Sequence, residues 1–229
     1  RVMIYGRVQV TTDALNALLE RSVPTTLLSS RGWLHGHLLG DCGGQVRRRA
    51  RQYALIDGAE QALPLARALV VAKLRNQRWL LRTLDQHEQA AGLDPYLISA
   101  KQADRADSLR GIEGSAARAY FAAFPDLLAA TPFTFPGRRK RPATDPVNAL
   151  LSLGYTLLLA ELRNALQGYG LDPFAGVFHA SDGGQPSCAL DLMEPLRPLV
   201  DRLVIRLARH ELQPEDFAEQ ADGACLLKD

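Results

Sequence analysis

The sequence predicts an α+β protein in which a small β-rich N-terminal domain is followed by a larger, all-helical domain. The first forty residues hold short apolar runs bounded by Gly, Pro and Ser, which is the pattern of strands and turns. From residue 45 onward the apolar residues recur at helical spacing. Glycines within residues 40–44 make a flexible joint between the two patterns. We therefore expect the remainder of a β domain at residues 1–42 and a helical domain at residues 43–229.

The β-rich part consists of three strand-like runs and one helix. Strands are expected at Val2–Tyr5, at Thr25–Leu28 and at residues 33–39, and either Thr11 or Thr12 caps a helix between the first two. This part is short for a free-standing domain, and the chain opens at an arginine instead of Met. We expect the chain to be a trimmed piece of a longer protein, such as a fusion.

The helical part contains amphipathic and apolar segments that are separated by Pro and Gly. Helices are predicted at residues 46–56, 64–89, 108–124, 148–166, 172–179 and 190–210. The run Thr144-Asp145-Pro146 supplies a cap and a first-turn proline at the start of the fourth of these helices. Two prolines, Pro195 and Pro198, are expected to bend the last of these helices. The residues past 213 are acidic, and we expect them to be weakly structured.

Composition and charge exclude several classes of protein. There is no apolar run of about 18 residues or more, so no membrane span is expected. Three widely separated cysteines favour a reducing cytoplasm over a disulfide framework. The net charge is only +2, but basic residues cluster at residues 47–51 and 138–141. Local basic patches on a nearly neutral chain indicate a defined track for a polyanion.

One histidine and three carboxylates make up a candidate metal site. The segment LDPFAGVFHASDGGQPSCALDLMEPLRP contains His179, Asp191 and Glu194, and the two acids stand three residues apart, on one face of a predicted helix. Glu113 lies in a helix of small residues, where a carboxylate is unusual unless it is paired or metal-bound. The alternative is an exposed first-turn glutamate that the helix dipole favours.

These side chains suit a particular cofactor and chemistry. Carboxylates favour Mg²⁺ or Mn²⁺, and an imidazole ligand shifts the preference toward Mn²⁺. Glu113, His179 and Glu194 are the expected ligands, and Asp191 is a further catalytic candidate. A metal ion of this kind serves phosphodiester chemistry, because it neutralises the scissile phosphate and activates a hydroxyl nucleophile. The sequence contains no P-loop or dinucleotide-binding pattern.

Candidate DNA contacts occur in a loop and on the longest predicted helix. Prolines and a glycine within residues 132–142 prevent a regular element, and the basic side chains there suit bidentate phosphate contact. The candidates in this loop are Arg138, Arg139 and Arg141, and a solvated basic loop is the alternative. Lys73 and Asn76 could reach a phosphate or a base, or they could be a snorkelling lysine and a surface amide.

Three long segments resemble one known family. They are RVMIYGRVQVTTDALNALLERSVPTTLLSSRGWLHG, GIEGSAARAYF, and RRKRPATDPVNALLSLGYTLLLAELRNALQGYGLDPFAGVFHASDGGQPSCALDLMEPLRPLVDRLV. They are similar to the CRISPR-associated spacer-acquisition endonuclease/integrases, the universal adaptation integrases. The resemblance covers nearly the whole chain. It departs from the family where the first strands of the β domain are absent and where the chain stops soon after Cys225.

The resemblance implies a fold, a site and an activity. The family has an N-terminal β domain and a helical C-terminal domain that holds the metal ion. By resemblance, the metal ligands are Glu113, His179 and Glu194, the supporting acid is Asp191, and the basic residues near bound DNA are Arg138, Arg139 and Arg141. The implied reaction joins the 3′-hydroxyls of a captured double-stranded DNA, the prespacer, to the CRISPR repeat by transesterification.

The resemblance also implies partners. The family forms homodimers, and two homodimers flank a dimer of a small adaptation partner protein. Some members are fused to a reverse transcriptase or to a nuclease. Two other functions remain open. One is a transposase-like integrase of a mobile element with the same site. The other is a catalytically idle, architectural DNA-binding subunit that needs no divalent metal.

Overall fold

The computed structural model describes residues 2–30, 34–38, 40, 45–140, 142–179 and 184–228. It is α+β, as predicted, with a small strand region near the N-terminus and a larger helical part. None of the described helices is long and apolar enough to cross a membrane. The chain divides into two compact units, one formed by residues up to 61 with residues 156–191, and one by residues 62–155 with residues from 192 onward. The predicted boundary between residues 42 and 43 lies outside the described residues and stays a prediction.

The described residues form the following strands and helices, numbered in chain order. The strands are β1 (Val2–Tyr5), β2 (Thr25–Leu28), β3 (Leu34–Leu38), β4 (Phe217–Glu219) and β5 (Cys225–Leu227). The helices are α1 (Thr12–Glu20), α2 (Val46–Asp57), α3 (Ala59–Thr83), α4 (His87–Ala91), α5 (Asp94–Gln102), α6 (Ala106–Phe121), α7 (Phe124–Leu128), α8 (Pro146–Gly168), α9 (Ser187–Met193) and α10 (Arg197–His210). Single 3-10 turns cover Glu194–Leu196 and Pro214–Asp216.

The first unit is built on a three-stranded sheet in which β2 is central, parallel to β1 and antiparallel to β3. Thr11 caps α1 by accepting a hydrogen bond from the Ala14 amide at 3.2 Å, so the first of the two predicted caps is the one used. The buried hydroxyl of Thr26 on β2 accepts a hydrogen bond from Asn164 Nδ2 of α8 at 2.8 Å. This buried bond fastens the second half of α8 to the sheet.

The loop after α8 is held in place by α2. The buried side-chain amide of Gln52 donates to the carbonyls of Asp172 (2.7 Å) and Ala175 (3.0 Å) and accepts from the Asp172 amide at 2.8 Å. Gly176 follows, where a Cβ atom would lie 2.6 Å from the Ser187 backbone. Only glycine therefore fits where the loop passes the start of α9.

The second unit has its core among α3, α6, α7, α8 and α10. Its large, fully buried side chains include Leu74, Tyr120, Phe124, Leu151 and Ile205. The start of α8 is capped as the sequence predicts. The Asp145 carboxylate accepts a hydrogen bond from the Asn148 amide at 2.9 Å, and Pro146 occupies the first helical position.

Two helix predictions are wrong in detail, one at the end of α3 and one in the residues that follow α8. The helix that begins the second unit ends at Thr83 and not near residue 89, because Asp85 takes a positive φ of 60° and stops it. Residues 172–179 form turns instead of a helix. The Asp172 carboxylate accepts the Phe174 amide at 2.8 Å, which offers this backbone a local alternative to helical bonds.

The prediction that residues past 213 are weakly structured is also wrong. They form a 3-10 turn and the antiparallel pair β4–β5. The Cys225 amide donates to the Ala143 carbonyl at 2.7 Å, and Phe217 meets Phe133 edge-on with ring centroids 5.8 Å apart. These partners are distant in sequence, so local patterning does not indicate them. The predicted bend near Pro195 is confirmed as the 3-10 turn between α9 and α10.

Candidate functional site

Two carboxylates of the second unit meet on one buried lysine. Lys73, on α3, is only 4% exposed. Its ammonium group donates to Glu113 Oε1 on α6 and to Glu194 Oε2 in the 3-10 turn. Glu113 lies in the middle of α6, so the alternative of an exposed first-turn glutamate is wrong. The carboxylate is paired, as its place among small residues requires.

A second cation holds the other oxygen of Glu194. Arg197 Nε donates to Glu194 Oε1 at 2.8 Å. Burial alone would raise the pKa of Glu194, but the charges and hydrogen bonds of Lys73 and Arg197 outweigh burial and lower the pKa to about 2. Glu194 is therefore ionised at neutral pH, and it can hold a cation without first losing a proton.

The predicted basic loop lies close to these carboxylates. Lys140 keeps part of its side chain exposed, but burial around its ammonium group lowers its pKa, as do the charges of Arg197, Arg138 and Lys73. The negative charge of Glu194 acts in the opposite direction. Four cationic groups are thus near enough to repel one another, which is an arrangement that a bound polyanion relieves.

Asn148 fixes the basic loop to α8. Its fully buried side chain accepts from Arg138 Nη1 at 2.7 Å and from the Arg139 amide at 2.9 Å. The same amide group donates to the Gly137 carbonyl at 2.8 Å and to Asp145 Oδ2 at 2.7 Å. No role was predicted for Asn148 from the sequence, although a polar amide on an otherwise apolar helix was a usable signal. Asn148 therefore fixes the guanidinium group of Arg138 and the backbone at Arg139.

A buried aspartate and two tyrosines support two of the arginines. Asp201 on α10 accepts hydrogen bonds from the hydroxyls of Tyr120 (2.8 Å) and Tyr155. The Tyr155 ring lies under the guanidinium groups of Arg197, at 4.6 Å, and Arg138, at 5.5 Å. Burial raises the pKa of Asp201 to about 6, although both tyrosine bonds and Arg197 lower it. None of these three acidic or phenolic groups was predicted, because Asp201 and Tyr120 are 81 residues apart.

His179 lies in the first unit, where Asp191 holds it. His179 Nδ1 is 2.7 Å from Asp191 Oδ1. The same carboxylate accepts from the backbone amides of Val177 (2.6 Å), Phe178 (3.0 Å) and His179 (2.9 Å). Because four donors surround it, the Asp191 carboxylate holds the imidazole ring in one orientation. This is the supporting role that the resemblance implies for Asp191.

The structure therefore groups the predicted site residues in two pairs. Glu113 and Glu194 share Lys73, whereas Asp191 contacts the His179 ring and residues 177–179. α9 ends at Met193, so Glu194 belongs to the next turn although Asp191 is only three residues away. Among the residues that the structure describes, no group of three or more His, Cys, Asp or Glu side chains is arranged to hold a metal ion. The three-ligand metal set stays a prediction.

The residues predicted to contact DNA differ in their burial and in their hydrogen-bond partners. Lys73 is not a snorkelling lysine, because its ammonium is buried in the two ion pairs. Asn76, one turn further along α3, donates to the Pro195 carbonyl at 2.8 Å. Arg138 and Arg139 are held by Asn148, as described above, and Arg141 lies outside the described residues.

The whole sequence matches the model of one protein family. The family model described as CRISPR associated protein Cas1 matches residues 1–229. The chain belongs to the Cas1 family. A CRISPR-associated exonuclease Cas4/endonuclease Cas1 fusion of Geobacter sulfurreducens is 39% identical over 245 residues, which cover 100% of this Cas1 chain and 44% of the fusion. CRISPR-associated endonuclease Cas1 1 of Thermus thermophilus is 38% identical over 231 residues, covering 100% of this chain and 70% of that protein. The chain thus spans less than half of the first relative's length.

Solved structures have the same fold. A casposase bound to its integration product matches with a TM-score of 0.86 at 28% identity, over 99% of this Cas1 chain and 65% of that chain. A Cas1 protein from Thermotoga maritima matches with a TM-score of 0.87 at 24% identity, over 99% of this chain and 74% of that chain. A Cas6-RT-Cas1–Cas2 complex matches with a TM-score of 0.79 at 28% identity, over 99% of this chain and 26% of that chain.

Proposed function

We propose that the chain is a metal-dependent DNA endonuclease/integrase that inserts new spacer DNA into a CRISPR array by 3′-hydroxyl transesterification. The observation that carries this proposal is the pairing of the half-buried Glu113 and the buried Glu194 on one lysine, beside the cations Arg138, Lys140 and Arg197. Paired carboxylates bind a metal ion, and a surrounding group of cations binds the phosphates on either side of the scissile bond. Membership of the Cas1 family supports the same reaction class.

The expected cofactor, Mg²⁺ or Mn²⁺, fits the carboxylate pair. Glu113 and Glu194 already converge on one cation, the Lys73 ammonium, and carboxylate oxygens are the ligands that these ions prefer. His179 would contribute Nε2, because its Nδ1 is committed to Asp191, and an imidazole ligand favours Mn²⁺. A bound ion of this kind neutralises the scissile phosphate and lowers the pKa of the attacking hydroxyl.

The other side chains bind and orient the DNA. Arg138 and Lys140 contact backbone phosphates, and Arg139 and Arg141 are the further phosphate contacts that the sequence predicts. Tyr155 supports Arg138 through its ring, so the guanidinium meets the phosphate without first having to be ordered. Preorganised cations of this kind stabilise the pentacoordinate phosphate in the transition state.

The partners follow from the same function. The substrates are double-stranded prespacer DNA and the CRISPR repeat, in the cytoplasm, and the working unit is a homodimer bridged to a second one by a small dimeric partner protein. A Cas6-RT-Cas1–Cas2 complex among the structural neighbours supports a partner of the Cas2 kind and a possible fused reverse transcriptase. The Cas4/Cas1 fusion among the relatives supports a fused nuclease.

A strand-joining assay tests the proposal. The purified chain is incubated with a labelled DNA duplex and a plasmid carrying a CRISPR repeat, in Mn²⁺, in Mg²⁺ or in EDTA. Glu113→Gln, His179→Asn and Glu194→Gln should each lower the joining rate by about 10²-fold or more, because each removes a metal ligand. Glu88→Gln is the matched control, because Glu88 is an exposed glutamate in the first turn of α4.

The results separate the proposed activity from its alternatives. Joining at the normal rate by the His179→Asn variant would show that the ligand set is misassigned. Unchanged DNA binding in EDTA without any joining in Mn²⁺ would favour the architectural subunit instead. The fold of each variant is checked by circular dichroism, so that loss of activity is not mistaken for unfolding.

The similarity to a casposase bound to its integration product favours a second candidate, a transposase-like integrase of a mobile element. The same site would carry out the same joining reaction, but the target DNA would differ. Equal joining into plasmids with and without the repeat would favour this candidate, and a strong preference for the repeat would favour spacer insertion.

A further inference from the structure

The cation between Glu113 and Glu194 belongs to the protein itself. Lys73 reaches from α3 into a space that is almost closed to solvent, and its ammonium donates to one oxygen of each glutamate. Two carboxylates buried side by side repel each other unless a positive charge lies between them. The ammonium supplies that charge, and it sets the spacing of the two carboxylates around one central cation.

A divalent ion and this ammonium cannot occupy the same place. An ion bound by both glutamates would use the oxygens that Lys73 now contacts, and it would repel an ammonium that stayed beside it. α3 itself is attached to the turn that begins with Glu194, since Asn76 donates to the Pro195 carbonyl at 2.8 Å. The flexible four-carbon side chain of Lys73 can move while the helix stays in place.

We propose that Lys73 is a resident counter-cation that competes with the metal ion for Glu113 and Glu194 and leaves when the ion binds. This inference rests on the proposed function, because it takes the two glutamates as metal ligands. In the metal-free protein Lys73 holds the two carboxylates in place around one cation. The cost of displacing it weakens metal binding, so the site is filled only when the metal concentration is high enough to compete.

Metal affinity measured without DNA tests the competition directly. Free Mn²⁺ is measured by electron paramagnetic resonance in titrations of the wild-type chain and of Lys73→Met, whose side chain has a similar length and no charge. If the ammonium occupies the site in about nine molecules of ten, its removal should tighten the apparent Kd for Mn²⁺ about tenfold. Arg78→Met is the matched control, because Arg78 lies on the same helix and pairs with Asp94. Its Kd should equal that of the wild-type chain.

Three results would overturn the proposal. The first is an unchanged or weaker Kd in Lys73→Met, which would make Lys73 a structural ion pair or an aid to metal binding. The second is an equal tightening in Arg78→Met, which would be a general effect of charge. The third is a crystal structure of the wild-type chain with Mn²⁺ in which Lys73 still bridges both glutamates. This structure also decides the question if Lys73→Met does not fold.

Mn²⁺ binding by a variant without the two glutamates distinguishes failure of the proposed function from failure of this inference. A Glu113→Gln/Glu194→Gln double variant that binds Mn²⁺ as well as the wild-type chain would show that the glutamates are not ligands, and the inference would fall with the function. If the double variant loses Mn²⁺ and Lys73→Met is no tighter than the wild-type chain, only the competition is wrong.

Discussion

Asp201 should make the second unit less stable as pH rises through the mildly acidic range. The carboxyl group is fully buried, and burial raises its pKa from 3.8 to about 6. In the folded chain it therefore keeps its proton to a higher pH than in the unfolded chain. Between these two values the folded state binds more protons, so the free energy of unfolding falls as pH rises. The difference of about two pKa units corresponds to about 3 kcal/mol, which is lost by about pH 7.

The substitution Asp201→Asn removes this titration and keeps the shape of the side chain. Urea unfolding of the wild-type and variant chains, followed by circular dichroism from about pH 4 to about pH 7.5, gives the free energy of unfolding at each pH. The variant-minus-wild-type difference should rise by about 2–3 kcal/mol over this range, because every other titrating group contributes to both chains. Asp107→Asn is the control, since the Asp107 side chain is 81% exposed and its difference should be flat.

The slope of this difference, and not its absolute value, is the test. The asparagine keeps one accepting oxygen in place of two, so one of the two tyrosine hydroxyls loses its acceptor at every pH, and this loss shifts the whole curve by a constant. A flat difference would mean that Asp201 does not titrate in this range, and a falling difference would mean that the bonds from Tyr120 and Tyr155 outweigh burial. Either result would refute the reasoning.

Two further predictions concern packing and the basic loop. Gly154→Ala should destabilise the fold by about 1–3 kcal/mol because the new Cβ would lie 2.5 Å from Val200 Cγ1, whereas Gly111→Ala, with open space around it, should stabilise α6 by about 1 kcal/mol. Thermal unfolding measures both, and equal effects at the two glycines would contradict the packing argument. Asn148→Ala should cost roughly 3 kcal/mol and weaken DNA binding in fluorescence anisotropy, because it releases Arg138 and the loop. Unchanged DNA affinity in Asn148→Ala would show that the position of the loop does not contribute to DNA binding.

Local signals in the sequence were sufficient for much of the fold. The cap at Thr11, the Asp145–Pro146 start of α8 and the strands at Val2–Tyr5 and Thr25–Leu28 depend on neighbouring residues alone, and all were predicted. The β4–β5 pair was missed because its contacts, to Ala143 and Phe133, come from residues far away along the chain. An acidic composition indicates exposure, but it does not exclude a short hairpin.

The candidate site was predicted in part for the same reason. Glu113 was recognisable as a carboxylate that needed a partner, yet nothing local showed that the partner is Lys73, forty residues earlier. The network around Asp201 was missed because a single aspartate in an amphipathic helix looks like a surface residue. Only the fold shows that two tyrosines enclose it.

The contacts around Asp191 have a consequence for how this protein can evolve. Three of the four groups that hold the carboxylate are main-chain amides, those of Val177, Phe178 and His179. The half-buried side chain at 177 can change without altering these bonds, and only proline would remove a donor, whereas Phe178 is buried with its ring edge-on to His179. Sequence drift at position 177 can therefore change the surroundings of the histidine while the main-chain bonds to Asp191 stay as they are.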